Sequence, residues 1–381
     1  MINVGFIVNS SEELMGKSNY LKNLIFAIAS LKKKNIKVTV FIGKKEKEQT
    51  KTFYQKYATV VEDSMFDKKS MKWFFSKLEH KIFGSNLFLE SFLKKYDIKI
   101  LSHSSIVDLK DIKIINWIPD FQHVHLNYIF SKKDIHKRDK KFKEIIKKSN
   151  IILLSSFDAL RDFNNFDNTN NYKAKVLQFV SQPHKKYFTL DLNDKKNLLK
   201  KFNLEENFYY IPNQYWKHKN HMLVFKAINE LKNEGVIVNI VCTGYPDDHR
   251  NKDHFQNLKT YINKNNLNKN IRMLGVVTYK EVFSLIKFSK AVINPSLFEG
   301  WSSTVEECKS VGKNMILSDL SVHKEQYPTE TFFDKSSFAS FKSVIRNYEK
   351  NNLDHYKNLL EERTNKFGSK YVKILEELIN N

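Results

Sequence analysis

The stretch FEGWSSTVEECKSVGK, residues 298–313, follows the apolar run of residues 291–293 and an Asn-Pro terminator. This order predicts a buried strand, a glycine turn, a cluster of hydroxyl side chains and then a helix. Ser303 with Glu306 has the Ser-x-x-Glu spacing of a capping box. First-turn amides lack intrahelical acceptors and lie at the positive end of the helix dipole. The stretch therefore predicts a site for a sugar attached to a phosphate.

Two glutamates of this stretch are candidates for contact with a ligand. Glu299 lies just before the predicted anion site, and Glu307 lies inside the helix. With 3.6 residues per turn, Glu307 falls on the same edge of the helix as Thr304, whereas Glu306 falls on the opposite flank. We therefore assign Glu299 and Glu307 to the site and Glu306 to the structure of the helix.

Length and charge limit the class of protein. The chain has 381 residues, which favours two domains, and its 41% apolar content is ample for burial. The net charge of +22 indicates attraction to nucleic acid, an anionic membrane face or phosphorylated substrates, unless it is a compositional habit of the source genome.

Cysteine usage and hydropathy predict the compartment. Cys242 and Cys308 both lie in predicted buried elements, so neither a disulfide framework nor a cysteine metal site is indicated. No apolar run approaches the roughly 20 residues needed to span a bilayer, and the first strand lacks the features of a signal peptide. We expect a cytoplasmic protein, with peripheral attachment to the inner face of the cell membrane left open.

Short apolar runs alternate with helical patterns through most of the chain. This alternation predicts an α/β fold with parallel sheets covered on both faces, arranged as two doubly wound, Rossmann-like domains that face each other across a cleft. We expect an N-terminal domain at 1–182, a linker at 183–206, a C-terminal domain at 207–365 and a helix at 366–381 that packs back on the N-terminal domain. The predicted strands are 3–8, 37–42, 98–101, 112–117, 151–154, 175–179, 208–211, 236–242, 271–274, 291–294 and 314–317.

A second candidate site follows the first strand of the C-terminal domain. Lys219 lies at the start of a predicted helix, at the carboxyl end of that strand, where it can meet a diphosphate. A solvated lysine is the alternative. The functional interpretation is favoured because a second anion-binding helix start occurs in the same predicted domain.

A third candidate follows the predicted strand at 112–117, which delivers Asp120, His123 and His125 to its carboxyl end. An aspartate with two histidines invites a metal site, but a matching second cluster is missing, so we expect no metal. Burial of either histidine with a backbone hydrogen bond is the alternative to a role in the chemistry.

A fourth candidate is the start of the first helix, where Gly16 and Lys17 would allow the backbone to approach a phosphate or an acceptor hydroxyl. The Gly-x-Gly-x-x-Gly pattern of dinucleotide-binding enzymes and the context of a Walker loop are both missing. The basic residues of 132–148 and 32–34 would form a solvated face or attach to an anionic membrane.

Taken as a set, these motifs resemble a known family. The Glu-x7-Glu spacing inside PSLFEGWSSTVEE, followed by Gly312-Lys313 and SDLSVHKEQ, is similar to the donor-site signature of retaining glycosyltransferases of family four, group 1, which have the GT-B fold. WIPDFQHVHL and NQYWKHKNH resemble bacterial enzymes that build O-antigen or capsule polysaccharide. The resemblance covers most of the chain and is densest in its second half.

The resemblance implies roles for matching positions. Glu299 would contact hydroxyls of the donor sugar near the reacting carbon, and Glu307 the ribose of the nucleotide, with no metal or other cofactor required. The family commonly has an arginine where Gln214 stands, and Lys217 would replace it. The expected catalytic residues are Glu299, Asp120, His123 and His125; the donor-binding residues Lys219, Gln214, Gly300, Ser302, Ser303, Thr304, Glu307, Gly275 and Val276; and the acceptor-side residues Gly16 and Lys17.

The expected activity is transfer of a hexose from a nucleotide-diphosphate sugar to a growing glycan, with retention at the anomeric carbon. The acceptor would be a lipid-linked surface polysaccharide, bound by the N-terminal domain. A sugar-nucleotide epimerase of similar shape is the alternative. A nucleic-acid-binding module ranks far behind, because the chain has no recognised binding motif.

Overall fold

The computed structural model describes residues 1–9, 15–32, 35–104, 106–348 and 358–380, and the chain divides into two units. Unit 1 comprises Met1–Phe121, Lys133–Ser181 and Glu361–Asn381, and unit 2 comprises Gln122–Lys132 and Gln182–Leu360. Residues 122–132 thus group with unit 2, although both neighbouring stretches of chain belong to unit 1.

Unit 1 is built on a seven-stranded, wholly parallel sheet in the order β3-β2-β1-β4-β5-β6-β7. Its strands are β1 Ile2–Ile7, β2 Ile36–Ile42, β3 Thr59–Glu62, β4 Ile100–Ser102, β5 Lys113–Ile118, β6 Ile151–Leu154 and β7 Ala174–Val176. Its helices are α1 Met15–Ala29, α2 Glu48–Gln55, α3 Met71–Phe83, α4 Leu87–Lys94, α6 Lys132–Lys148, α7 Phe157–Phe166 and α15 Leu360–Asn380. Nearly unbroken apolar runs in the central strands suit a sheet buried on both faces.

Unit 2 has a six-stranded parallel sheet in the order β10-β9-β8-β11-β12-β13. Its strands are β8 Tyr209–Ile211, β9 Ile240–Cys242, β10 Ile271–Met273, β11 Val292–Asn294, β12 Met315–Ser318 and β13 Thr331–Phe333. Its helices are α5 Gln122–His125, α8 Leu192–Phe202, α9 His221–Asn233, α10 His254–Lys264, α11 Tyr279–Phe288, α12 Ser303–Ser310, α13 Ser321–Gln326 and α14 Phe338–Arg346. Both central strands, β8 and β11, are completely buried.

All predicted strands are present, and two further strands occur that the sequence did not predict. These are β3 and β13, each at the edge of its sheet. Both are short and only partly buried, so the apolar pattern that indicates a buried strand is weak in them. The predicted linker at 183–206 contains helix α8, which starts at a capping box of Asp191 and Asp194 and packs Leu198 into the core of unit 2.

The C-terminal helix α15 packs within unit 1. The Tyr371 hydroxyl donates a hydrogen bond to Ser102 Oγ at the end of β4, at 2.7 Å. Gly368 approaches α1 so closely that a Cβ atom there would lie 2.6 Å from the carbonyl oxygen of Ala27. This contact requires glycine for lack of space, and it fixes α15 against α1.

Candidate functional site

The order of strands in unit 2 reverses between β8 and β11, which are hydrogen-bonded neighbours. Open parallel sheets bind ligands outside the carboxyl ends of the strands at such a reversal. The chain leaving β8 carries Asn213 and Lys219, and the chain leaving β11 carries Ser296 and Glu299. The topology therefore brings the two strongest sequence candidates, 80 residues apart in the chain, to one edge of the sheet.

Lys219 and Glu299 form an ion pair at this edge. Lys219 Nζ lies 2.6 Å from Glu299 Oε1, and the two side chains are only 16% and 11% exposed. Ser296 Oγ donates a second hydrogen bond to the same oxygen at 2.7 Å. Burial favours a higher pKa for Glu299, but Lys219, with His323 and Ser296, outweighs it and lowers the pKa to about 2. The carboxylate is therefore ionised and held in one orientation.

The start of helix α12 is fixed by buried amides and hydroxyls. Ser302 is the N-cap, its Oγ accepting the Val305 N–H at 3.4 Å, so the cap is one residue earlier than the predicted Ser303–Glu306 box. Gln326 Oε1 accepts the N–H of Ser302 at 3.0 Å, and Gln326 Nε2 donates to the carbonyl oxygen of Ser302 at 2.8 Å. The amides of Ser303 and Thr304 are thus the first-turn donors that helix geometry leaves without an intrahelical acceptor.

The two glutamates of α12 point to different partners. Gln326 Nε2 donates to Glu306 Oε1 at 3.3 Å, and Glu306 is almost completely buried. Glu307 instead accepts a hydrogen bond from the Tyr279 hydroxyl at 2.9 Å. Burial raises the pKa of Glu307 to about 7, against the lowering effect of the Tyr279 hydrogen bond.

Asparagines join the two strand ends. Asn213 Nδ2 donates to Asn294 Oδ1 at 3.1 Å, and Asn294 Nδ2 donates to Ser302 Oγ at 3.0 Å. Thr304 Oγ1 lies 3.5 Å from Asn213 Oδ1. This network ties the loop after β8 to the start of α12. Gln214, the next residue, is half-buried in the loop, and Lys217 is exposed.

The loop after β10 contains Gly275 and Val276. Gly275 has a left-handed backbone (φ +70°), and its carbonyl oxygen accepts the N–H of Gly244 at 2.8 Å. Val276 is 68% exposed. The loop is thus anchored beside the loop after β9, and the apolar side chain of Val276, one of the expected donor-binding residues, is open to solvent.

His323 is a residue that the sequence did not single out. It is fully buried on α13, and its Nδ1 hydrogen bonds with the carbonyl oxygen of Ser318 at 2.9 Å. Burial lowers the pKa of His323, while the charge of Glu299 opposes that change. The SDLSVHKEQ motif contained the signal, because His323 follows the end of β12 by five residues, in the first turn of the next helix, at the carboxyl edge of the sheet.

The predicted catalytic residues Asp120, His123 and His125 are divided between the units. Asp120 belongs to unit 1, where Arg138 contacts it at 3.2 Å. His123 and His125 belong to unit 2. His123 is buried, and the exposed His125 lies over the ring of Phe298, beside Glu299 in the chain, with 5.1 Å between ring centroids.

Arg250 holds the segment that carries these histidines. Its Nη1 donates to Gln122 Oε1 at 2.9 Å, and its guanidinium lies over the rings of Phe130 and Trp216, 4.7 and 5.4 Å from their centroids. Leu126 and Ile129 pack with Phe298 in a small apolar cluster. Both ends of the segment 122–132 are thereby attached to unit 2.

Unit 1 has its own reversal of strand order, between β1 and β4. Lys17 Nζ donates to the carbonyl oxygen of His103, just beyond β4, at 3.0 Å. Burial lowers the pKa of Lys17, and Lys141 adds to the effect. Gly16 is exposed in the first turn of α1. His103, which the sequence did not predict for the site, is buried between Ser102 and the Tyr20 hydroxyl in a left-handed conformation (φ +56°). Residues 10–14, before α1, lie outside the described part of the chain.

Across the described residues, no three His, Cys, Asp or Glu side chains are grouped so that they could hold a metal ion. Within the same residues, none of the helices has the length and apolar character needed to cross a bilayer.

Comparison with known proteins identifies chains of similar sequence and fold. Residues 194–366, less than half of the chain, match the model of the family "Glycosyl transferases group 1". A search of curated proteins finds no match. A glycosyltransferase from Rickettsia africae is 13% identical over 100% of this chain and 99% of its own, with a TM-score of 0.66.

Two further solved structures extend the likeness. HepE from Anabaena, in complex with UDP and glucose, is 11% identical over 99% of this chain and 100% of its own, with a TM-score of 0.70. A UDP-forming α,α-trehalose-phosphate synthase from Burkholderia vietnamiensis is 10% identical over the whole of both chains, with a TM-score of 0.63. The fold is that of the GT-B glycosyltransferases, so the predicted fold class, two doubly wound Rossmann-like units, is confirmed.

Proposed function

We propose that this chain is a glycosyltransferase that moves a hexose from a nucleotide-diphosphate sugar to a growing glycan, with retention of anomeric configuration. The observation that carries the proposal is the Lys219–Glu299 ion pair at the strand reversal of unit 2, next to the start of α12. The match of residues 194–366 to the group 1 glycosyltransferases supports it.

The donor site lies in unit 2. Lys219 turns from Glu299 to the diphosphate when the donor binds, and the amides of Ser303 and Thr304 bind the same phosphates. These groups stabilise the charge that develops on the leaving diphosphate, so the site needs no metal ion. Glu299, released from the lysine, accepts hydrogen bonds from hydroxyls of the donor sugar.

The nucleoside occupies the side of the site formed by α12 and the loop after β10. Glu307 accepts from the ribose hydroxyls, and Gly275 and Val276 border the base. UDP-glucose is the first donor to test, because HepE was solved with UDP and glucose. Retention follows from attack on the same face as the departing phosphate, which takes the proton of the acceptor hydroxyl.

The acceptor is a lipid-linked glycan of the O-antigen or capsule type, presented at the inner face of the cell membrane. Unit 1 supplies the acceptor side, with Gly16 and Lys17 near its strand reversal. His123, His125 and Asp120 share the candidacy for the catalytic residue opposite the donor. The net charge of +22 favours attachment to an anionic membrane.

The test is incubation with UDP-, GDP-, ADP- and dTDP-hexoses, with and without a bacterial lipid-linked glycan fraction. We expect one donor to lose its sugar to the lipid fraction, with release of the nucleoside diphosphate and a retained anomeric configuration by NMR. A new sugar nucleotide formed without acceptor would instead identify an epimerase. An inverted product would remove the retaining mechanism.

A further inference from the structure

A set of large apolar side chains stays exposed on unit 1, along α3 and at the start of α4. Their exposed fractions run from 38% to 74%. We call this set the α3–α4 face; its members are Met71, Phe74, Phe75, Leu78, Ile82, Leu87 and Phe88. Single exposed apolar residues are common on protein surfaces, but seven within 18 consecutive residues form a patch that marks an interaction site.

The apolar residues of α3 lie on one side of the helix. Met71, Phe75, Leu78 and Ile82 are spaced by four, three and four residues, which places them in a single stripe at 3.6 residues per turn. An amphipathic helix of a water-soluble domain normally turns such a stripe toward the core. Among the described residues the stripe stays exposed to solvent, so it is open to a binding partner.

The α3–α4 face is held together by the fold. The Glu79 carboxylate of α3 accepts the backbone N–H of Phe88 at 3.0 Å, where the N-cap residue Asn86 provides no side-chain bond. This contact anchors the first turn of α4 to α3 and keeps Leu87 and Phe88 beside the stripe. The exposed side chains therefore belong to a formed pair of helices.

The surroundings of the face are basic. Residues 67–95 contain seven lysines and three acidic residues. Two of those acids are buried, where they accept backbone hydrogen bonds: Asp67 from Lys44 and Lys45, and Glu90 from Lys110 and Asp111. Lys68 and Lys69, immediately before α3, are exposed. Lys72 and Lys94 form ion pairs with Asp63 and Asp111, so the positive charge beside the stripe comes from the exposed Lys68 and Lys69.

We propose that the α3–α4 face binds the surface of an anionic lipid bilayer. The apolar side chains enter the boundary between head groups and acyl chains, and the bordering lysines meet lipid phosphates. A second copy of this chain is a poorer occupant, because each copy carries +22 and would bring its own lysines against those of its partner. This inference rests on the proposed function only in linking the membrane surface to a lipid-linked acceptor. Vesicle binding itself is measured without any sugar donor.

Vesicle co-sedimentation of the full chain tests the proposal. We expect binding to phosphatidylcholine vesicles containing half phosphatidylglycerol and little binding to phosphatidylcholine alone. The double substitution Phe74→Asp and Ile82→Asp should weaken binding to the mixed vesicles at least tenfold. The matched control is Leu192→Asp with Ile237→Asp, two apolar residues of unit 2 that are 75% and 80% exposed, and it should bind as the wild type does.

A fluorescent label tests the position directly, even where the double substitution fails to fold. Both native cysteines are buried, so a Leu78→Cys variant can be labelled selectively with a polarity-sensitive dye. Mixed vesicles should shift the emission of this label to shorter wavelength and leave the label of an Ile237→Cys variant unchanged. An unshifted label at position 78 would overturn the proposal.

Two other outcomes would also overturn it. A shift that appears on raising the protein concentration without vesicles would make a second copy the occupant. The second outcome concerns α6, where Lys137→Glu with Lys143→Glu reverses two exposed charges. If this variant loses vesicle binding while the label at position 78 never responds, the membrane contact belongs to α6. Loss of vesicle binding with nucleotide-sugar transfer intact would leave the proposed function standing.

Discussion

At the scale of single residues, the Lys219–Glu299 pair governs the proposed donor site. Lys219 lowers the pKa of Glu299 and keeps this largely buried carboxylate ionised, and Ser296 fixes its orientation. Such a pair keeps the lysine ammonium group in position for a diphosphate and avoids an unpaired buried charge in the free protein. In the proposed function, Glu299 therefore occupies Lys219 until the diphosphate binds.

Substitution of Glu299 tests this role. We expect Glu299→Gln to lower kcat for sugar transfer by roughly a hundredfold, a loss typical of removing one positioned polar contact to a transition state. Steady-state kinetics well below the melting temperature would measure it. Glu205→Gln, at an exposed glutamate, is the matched control and should keep full activity. A Glu299→Gln variant with unchanged kcat would remove the residue from the mechanism.

Glu307 gives the free protein a pH-dependent stability. Its pKa is raised from 4.5 to about 7, so between these values the folded protein holds a proton that the unfolded chain releases. The free energy of unfolding should therefore fall as pH rises from about 4.5 to 7, by on the order of 3 kcal/mol from this group. Glu299 acts in the opposite sense, and only below about pH 4.5, because its pKa is lowered.

Urea unfolding at several pH values measures this slope. Glu307→Gln should flatten its share of the slope, since glutamine still accepts the Tyr279 hydroxyl but does not ionise. Glu330→Gln should do the same independently, because burial also raises the pKa of Glu330 to about 7. An unchanged slope in both variants would contradict the burial argument, and Glu205→Gln provides the reference.

Local helix geometry was predictable from the sequence, whereas the roles of individual residues stay predictions. Helical phase alone separated Glu306 from Glu307, and the structure gives the two glutamates different partners. The partners themselves, Gln326 and Tyr279, lie 20 and 28 residues away in the chain, so no local pattern could reveal them. The ionisation of each carboxylate depends on those partners and on burial.

At the scale of elements, the central strands were predictable because burial on both faces leaves unbroken apolar runs. The edge strands β3 and β13 were not predicted, because each pairs with a neighbouring strand on one side only and is only partly buried. The sequence also did not predict that residues 122–132 belong to unit 2. It depends on contacts of the segment with Arg250 and Phe298, both more than a hundred residues further along the chain.

Arg250 should control the mobility of that segment. Arg250→Ala removes the hydrogen bond to Gln122 and the cation–π contacts to Phe130 and Trp216. We expect faster hydrogen–deuterium exchange in peptides covering 122–132, with exchange in the β8 and β11 peptides unchanged. Arg250→Lys should restore protection only in part, because lysine lacks the planar guanidinium. Unchanged exchange in Arg250→Ala would show that the small apolar cluster around Phe298 is sufficient.

Two helical glycines of unit 1 form a matched pair. Gly368→Ala would place a methyl group 2.6 Å from the Ala27 carbonyl oxygen, so we expect a loss of about 2 kcal/mol in stability. Gly16→Ala meets no atom within 4 Å and should stabilise α1 by about 0.5 kcal/mol. Thermal unfolding would measure both. Equal effects would contradict the close packing of α15 on α1.

At the scale of the whole molecule, the chain passes from one unit to the other four times, whereas two consecutive domains need a single passage. The additional passages arise because residues 122–132 belong to unit 2 and α15 belongs to unit 1. The two parallel sheets followed from strand periodicity. Charge alone indicated only the basic stretches 132–148 and 32–34 as candidate surfaces. The α3–α4 face emerged only when exposure was known for each residue.

Calorimetric titration with UDP, GDP, ADP and dTDP tests the central claim, a nucleotide-diphosphate site at the β8–β11 reversal, most directly. We predict that one nucleotide binds the wild type and that Lys219→Ala weakens its binding at least tenfold, by loss of a charge-assisted phosphate contact. Lys226→Ala, at an exposed lysine of α9, should bind nearly as the wild type. If none of the four nucleotides binds, or if Lys219→Ala binds as tightly as the wild type, the account is contradicted.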